Sequence, residues 1–227
     1  MKNNIKEILI ILLLTIILNF STISSFPVLD RDEARYAQAT KQMIETSNYK
    51  QIKFQDEYRN KKPIGIYWFQ AAFVNLTTEK IKKINNYNFI VNNEIWKYRL
   101  VSSIFSLISI MLIYFLGKNI FSRKVAFLGA ITLANTLLFT VEAHIAKTDA
   151  VLLTSVILSM LILAGYYNDI YKNRFNYTFF LLWITIGIAT LIKGPLLIIN
   201  ILLALGCLSL VRKNTLWFLN TKPLFGL

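Results

Sequence analysis

The chain has 227 residues, 55% of them hydrophobic and only 16% charged, against roughly 45–50% and about 25% in an average soluble domain. Together with a mean hydropathy of +0.49, this excludes a disordered chain, a collagen-like one and a disulfide-stapled secreted domain, since Cys207 stands alone. The formal charge of +13 would point to nucleic acid in a soluble protein. In a membrane protein it reflects topology signals and contact with anionic lipid, so the expected partners are membrane lipids and not nucleic acid.

A helix needs about 20 mainly apolar residues to cross the hydrocarbon core. Stretches of about that length, free of Asp, Glu, Lys and Arg, run over 8–29, 100–117, 125–141, 150–168, 175–192 and 194–211. They predict an all-α, polytopic transmembrane helical bundle of about six spans, a single membrane domain over 1–227. The first span also has the basic start of a signal peptide, Lys2 and Lys6 ahead of an apolar run and Ser24-Ser25 after it. Its run is longer than the roughly 7–15 residues of such a segment, which favours an uncleaved anchor. The third span is the shortest and also reads as an interfacial helix.

Short loops set the orientation. Lys2 and Lys6, then Lys118, Arg123 and Lys124, then Lys172 and Arg174, then Arg212 and Lys213 all fall on one side. The positive-inside rule makes that side cytoplasmic. The other side holds the segment 30–99, the loop 142–149 and a tight turn at Lys193. Every unusual charged motif of the chain lies there, on the periplasmic or extracellular face of the cell (inner) membrane.

The outer segment opens with Asp30-Arg31-Asp32-Glu33-Ala34-Arg35-Tyr36-Ala37. Asp30 and Glu33 have capping-box spacing, with Asp in the usual Ser/Thr place, and a helix follows toward Ser47-Asn48. Asp32, Arg35 and Tyr36 stand at i, i+3 and i+4 and share a face. A plain surface helix with one ion pair accounts for this spacing as well as a site does.

Next comes Arg59-Asn60-Lys61-Lys62-Pro63-Ile64-Gly65-Ile66-Tyr67-Trp68. Pro63 suits the first position of a helix, and the aromatic run after it suits a helix at headgroup level. Lys62 would then stand at a helix N-terminus, where backbone N–H groups already favour an anion. A phosphate site and a snorkelling lysine are both open readings. The stretch 78–97 reads as solvated loop without chemistry.

Lys193-Gly194-Pro195 repeats the pattern of a lysine ahead of Pro at the outer surface, and it too is read equally well as a snorkelling side chain. Asp149 opens the fourth span, an acceptable place for a carboxylate. His144 is the only histidine, so no multi-histidine metal site can form. Gly117, Gly129, Gly165, Gly187 and Gly206 offer places for close helix approach.

Taken in order, Asp32-Glu33-Ala34-Arg35-Tyr36-Ala37, Lys62-Pro63 with Tyr67-Trp68, Arg99-Leu100, Thr148-Asp149 and Lys193-Gly194 form a series. It resembles the N-terminal half of the bacterial membrane glycosyltransferases of the aminoarabinose transferase and protein mannosyltransferase group, with the GT-C fold. The resemblance implies interfacial helices in the first outer loop and transfer of a sugar from a polyprenyl-phosphate-linked donor to a lipid, glycan or protein acceptor. It implies catalytic roles for Asp32, Glu33 and Asp149, and substrate-binding roles for Arg35, Tyr36, Lys62 and Lys193. Some relatives carry an acid before the Lys-Pro pair that helps hold a divalent metal. Lys61 stands here instead and does not support one, so metal and cofactor remain unknown. Relatives of this group are longer, with further spans and an outer domain. A separately encoded C-terminal half is therefore a candidate partner, and the alternative is a truncated, non-catalytic membrane protein that keeps the fold or serves as a partner subunit for lipid-linked substrates. A transporter fits least, because the spans are nearly free of ionisable groups.

Overall fold

The computed structural model describes residues 2–28, 30–59, 61–78, 81–84, 87–90, 93–171, 177–213 and 216–223. The chain begins with α1 (Lys2–Phe20) and enters a polar turn. The apolar run continues past Phe20, but Ser21, Thr22, Ser24 and Ser25 interrupt it with side chains that compete for the backbone. Ser21 Oγ donates to the Ile17 carbonyl, and Ser25 N–H to that of Thr22. The helix therefore stops nine residues before the run of 8–29 ends.

Helix α2 (Arg31–Glu45) follows, then a short hairpin of β1 (Lys53–Phe54) and β2 (Glu57–Tyr58), then α3 (Gly65–Thr77). Pro63 is not the first helical residue: α3 is capped by the Ile64 backbone and starts at Gly65. A second antiparallel hairpin pairs β3 (Ile81–Ile84) with β4 (Tyr87–Ile90), Ile81 opposite Ile90. This corrects the expectation of a featureless loop over 78–97. Ile90 is buried beside Ile44, Val74 and Tyr98, and Asn88 Nδ2 donates to the Ile44 carbonyl and to Ser47 Oγ. Burial of one apolar residue and capture of one helix end hold the ribbon down, as an isolated hairpin is marginal in water.

The bundle proper comprises α4 (Trp96–Ile120), α5 (Arg123–Ala134), α6 (Leu137–Ala143), α7 (Asp149–Tyr167), α8 (Thr178–Lys193) and α9 (Leu196–Arg212), ending in a 3₁₀ helix (Leu216–Thr221). Among the described residues, α4 and α7 are long and apolar enough to cross a bilayer by themselves. Helices α5 and α6 pass the same test only together, bent by 64°. Asn135 and Thr136 make the break: Asn135 Nδ2 caps the Ile131 carbonyl and Thr136 Oγ1 donates to that of Thr132. Helices α8 and α9 are shorter apolar helices of 16 and 17 residues, about 24–26 Å at 1.5 Å per residue.

Helix α4 is the hub, packed against α1, α3, α5, α6 and α7. Lipid tails give no hydrophobic incentive for helices to associate, so close packing and interhelical hydrogen bonds must hold them. One face of α4 supplies these: Ser102 Oγ donates to the Ile145 carbonyl at 2.7 Å, Ser103 Oγ to that of Ala143 at 2.9 Å, and Ser109 pairs with Thr154 at 2.8 Å. Among the glycines expected at helix contacts, Gly117 faces Ala126, Gly129 faces Ile113, and Gly165 makes room for the Tyr171 ring. Gly187 and Gly206 face open space.

The two ends of the bundle differ in charge chemistry. At one end Arg123 pairs with Glu7 at 3.3 Å, Tyr114 donates to Glu7, and Arg212 pairs with Asp169 at 2.8 Å. Lys172 and Arg174 lie outside the described residues. The other end gathers the end of α1, the starts of α2, α3, α4 and α7, and the end of α8, with the apolar cluster of Tyr36, Met43, Tyr67, Val101, Val151 and Ile192 beneath them.

Candidate functional site

Asp30 is the N-cap of α2: its Oδ1 accepts from the backbone N–H groups of Asp32, at 2.7 Å, and Glu33, at 3.1 Å. A Ser, Thr, Asp or Asn there satisfies donors that a helix start leaves free. The reciprocal half of the capping box does not form. Glu33, expected beside Asp32 as a catalytic carboxylate, turns inward and is 1% exposed. Arg99 Nε donates to its Oε1 at 2.7 Å, Arg99 Nη2 to its Oε2 at 3.0 Å, and the Ala146 N–H to Oε1 at 2.9 Å. Both carboxylate oxygens are engaged, and a buried charge needs such partners more than a helix end needs a second cap.

Asp30 Oδ2 accepts from Lys147 Nζ at 2.7 Å. That hydrogen bond is the main reason the Asp30 carboxyl is held below its ordinary 3.8. Partial burial pulls Lys147 down, but the Asp30 hydrogen bond and the surrounding carboxylates outweigh it and leave the ammonium above 10.5. The pair joins the start of α2 to the loop between α6 and α7.

Asp32, Arg35 and Tyr36 do share a face of α2. Asp32 is half exposed and meets Arg35 at 3.4 Å, a loose contact of the kind worth little at a surface. Tyr36 points down, 3% exposed, its ring centroid 5.5 Å from that of Tyr67. Burial, then the neighbouring Tyr67, push its phenol up to about 12, against the opposing pull of a hydrogen bond with Thr148. Tyr67 is raised for the same first reason, burial, and accepts a hydrogen bond from Arg59 Nε at 3.2 Å. The Arg59 guanidinium also lies 5.8 Å from the Tyr36 ring. Both phenols feel the charge of Asp32.

Thr148 directly precedes Asp149, and Asp149 Oδ1 accepts from Lys193 Nζ. Asp149 and Lys193 lie 44 positions apart, at the start of α7 and the end of the next helix, α8. Gly194 makes the turn there with φ 72° and ψ −151°, a region essentially restricted to glycine. Lys62 sits half-buried in the bend before α3 and forms no ion pair among the described residues. Helix α3 lies so close to the end of α8 that a Cβ on Gly65 would stand 2.7 Å from the Leu191 carbonyl oxygen.

One end of the bundle thus carries Asp32, Arg35 and Tyr36 on α2, Arg59 and Lys62 before α3, and Asp149 with Lys193 where α7 meets α8. Arg59, Tyr67, Lys147 and Thr148 were not singled out from the sequence as site residues. The only signal for Arg59 was its place in the basic run before Pro63. Among the described residues no three His, Cys, Asp or Glu side chains converge as a metal would need.

The fold is that of a helical membrane protein with carboxylates and cations gathered at one end of the bundle. The chain belongs to the dolichyl-phosphate-mannose-protein mannosyltransferase family, whose model matches residues 61–227. Its fold is similar to that of ArnT from Cupriavidus metallidurans in the apo state, at 16% identity and a TM-score of 0.79 over 96% of this chain and 38% of that one. The same protein bound to undecaprenyl phosphate matches at 17% identity, with the same TM-score, over 96% of this chain and 39% of its own. The chain therefore spans under two-fifths of ArnT. No curated protein matches it.

Proposed function

We propose that the chain forms the N-terminal portion, or the whole, of a glycosyltransferase that takes its sugar from a polyprenyl-phosphate-linked donor. The acceptor is a hydroxyl of a lipid, glycan or protein at the outer face of the cytoplasmic membrane. The observation that supports this is the Lys193–Asp149 pair at the same end of the bundle as Asp32 and Tyr36 of α2, where Thr148 directly precedes Asp149. ArnT, bound to undecaprenyl phosphate in a fold of this kind, supports the donor class.

Sugar transfer builds negative charge on the leaving phosphate and positive charge on the anomeric carbon. Lys62, Lys193 and Arg59 are placed to receive the phosphate, with Arg35 at the rim, and preorganised cations there act where charge develops. Asp32, the exposed carboxylate, orients the acceptor hydroxyl or takes its proton. Asp149 sets the position of Lys193 and lines the far wall, while Tyr36 forms the floor. Glu33 keeps its place in the scheme as a positioning residue: it fixes α2, and with it Asp32, to Arg99 of α4.

The test is transfer from a polyprenyl-phosphate sugar, measured with Asp32→Asn in a system that includes any C-terminal portion. Loss of transfer at unchanged membrane abundance is the expected result. Full activity of the variant overturns the role of Asp32 and, with it, this reading of the site.

A further inference from the structure

A cavity of about 280 Å³ that has Asp149 in its lining lies between α4, α5, α6 and α7. Its walls are mostly apolar, from Leu138, Phe139 and Leu153 among others, with Asp149, Glu142, Ser106 and Thr136 as the polar residues, the Thr136 hydroxyl being bonded to the Thr132 carbonyl. Two of these polar groups are unsatisfied. Glu142 Oε2 and Ser106 Oγ are buried and have no hydrogen-bond partner among the described residues. Ser106 is 1% exposed, and Ser102, Ser103 and Ser109 on the same helix are all hydrogen-bonded. A buried hydroxyl without a partner is costly, and such groups in native structures are normally matched by something. Asp149, Lys147, Asp30 and Lys193 all act electrostatically on Glu142, so the cavity abuts the charged end of the bundle.

We propose that this cavity is a subsite for an aliphatic alcohol, the hydroxyl-bearing end of a membrane amphiphile. An alcohol hydroxyl can donate to a carboxyl oxygen and accept from a hydroxyl, the two kinds of partner that Glu142 Oε2 and Ser106 Oγ lack in this one cavity. The rest of the lining is mostly apolar, and Leu138 at its wall is 70% exposed, which suits an alkyl chain arriving from the bilayer and not a polar solute from water. The subsite goes beyond the transferase reading and stands without it.

The experiment uses the purified chain in phosphatidylcholine nanodiscs and dicyclohexylcarbodiimide, which modifies carboxyls in apolar surroundings. Labelling of Glu142 is followed by peptide mass spectrometry with 1-hexanol or 1-fluorohexane present. Protection by 1-hexanol is expected at concentrations about tenfold lower than by 1-fluorohexane, the worth of a hydrogen bond to a carboxyl group. Ser106→Ala should narrow the gap between the two probes without closing it, as the alcohol loses its contact with Ser106 but still donates to Glu142. Equal protection by both probes in the unmodified chain reduces the cavity to an apolar crevice and overturns the proposal. Protection by neither leaves room for bound water only and overturns it too, as does a Glu142 that takes no label. The comparison of the two probes needs no variant, so a misfolded substitution does not affect it.

Discussion

Glu33 and Arg99 form a two-pronged ion pair across 66 residues of chain, with side chains 1% and 3% exposed. The remaining guanidinium donors go to the carbonyls of Ile23, Phe26 and Pro27, and the Ala146 N–H completes the carboxylate. One pair thus ties the end of α1, the start of α2, the start of α4 and the loop after α6. Removing one partner of a buried pair leaves an uncompensated charge and typically costs about 3–5 kcal/mol. Arg99→Ala should therefore lower thermal stability and membrane abundance sharply. Glu33→Gln should do the same to a smaller degree, because an amide oxygen still accepts from Arg99. Unfolding of the purified variants, followed by circular dichroism, checks this; unchanged melting for Arg99→Ala would mean the pair holds nothing together.

Asp32 should behave oppositely. It is half exposed with one loose partner, so Asp32→Asn leaves folding nearly untouched, within about 0.5 kcal/mol. In the proposed reaction it removes the group that orients or deprotonates the acceptor, a loss on the order of 10²–10⁴-fold in turnover. The separation between stability and activity is the readout: Arg99→Ala lowers both, Asp32→Asn only the second.

How far the sequence revealed this arrangement depends on the range of the interactions concerned. Runs of apolar residues bounded by Lys, Arg, Asp and Glu pointed to an all-helical bundle, because helix formation is largely local, but not to the break between α5 and α6 or to the end of α1 at Phe20. Asp30 as a helix cap was legible for the same reason, since its partners are two and three residues away. Glu33 was not, because its partner is far along the chain and nothing local reveals that it is buried. Arg59 and Tyr67, though Tyr67 was part of a motif, were not read as site residues on similar grounds: each joins the others only once α3 has packed beneath α2. The hairpin at 81–90 was hidden by its many Lys and Asn residues, a composition that reads as loop until Ile90 finds a core.

Lys193 is expected to bind the donor phosphate, held in position by Asp149. Lys193→Met removes a charge-assisted hydrogen bond worth about 1.5–3 kcal/mol. Affinity for undecaprenyl phosphate, measured by titration in detergent micelles, should fall about 10- to 100-fold. Asp149→Asn frees the lysine from its partner but also from its fixed position, so it should change affinity less than Lys193→Met does. Unaltered affinity in Lys193→Met would remove Lys193 from the phosphate site.

The Asp30–Lys147 pair sets a pH window. Asp30 is depressed in the folded chain by its hydrogen bond to Lys147, so its contribution is present above 3.8 and is lost as pH falls through the lower folded value. Lys147 is raised, so its contribution is present below 10.5 and is lost as pH rises through the higher folded value. The stability difference between the unmodified chain and Asp30→Asn should therefore be flat across neutral pH and shrink at both extremes. Thermal unfolding at a series of pH values measures it. A difference that changes between pH 6 and 8 would assign the effect to some other group.

Gly65 controls how the two halves of the site meet. Helix α3 carries the Lys62 bend at its start, and α8 carries Lys193 at its end; the helices touch at Gly65. A Cβ there would stand 2.7 Å from the Leu191 carbonyl oxygen, 3.0 Å from its carbon and 3.1 Å from Ile192 Cδ1. The first two are backbone atoms that cannot rotate away, so Gly65→Ala must push α3 off α8. Overpacking of this kind costs about 1–3 kcal/mol, partly offset by the better helix propensity of alanine, about 1 kcal/mol in its favour. The net stability loss is thus modest, but the displacement moves Lys62 away from Lys193. Donor affinity in Gly65→Ala should drop although no charged group has been altered. A crosslink between cysteines at 62 and 193 should form more slowly than in the Gly65 chain. Equal crosslinking rates in the two backgrounds would show that α8 yields at this contact and that the spacing of the two lysines does not depend on it.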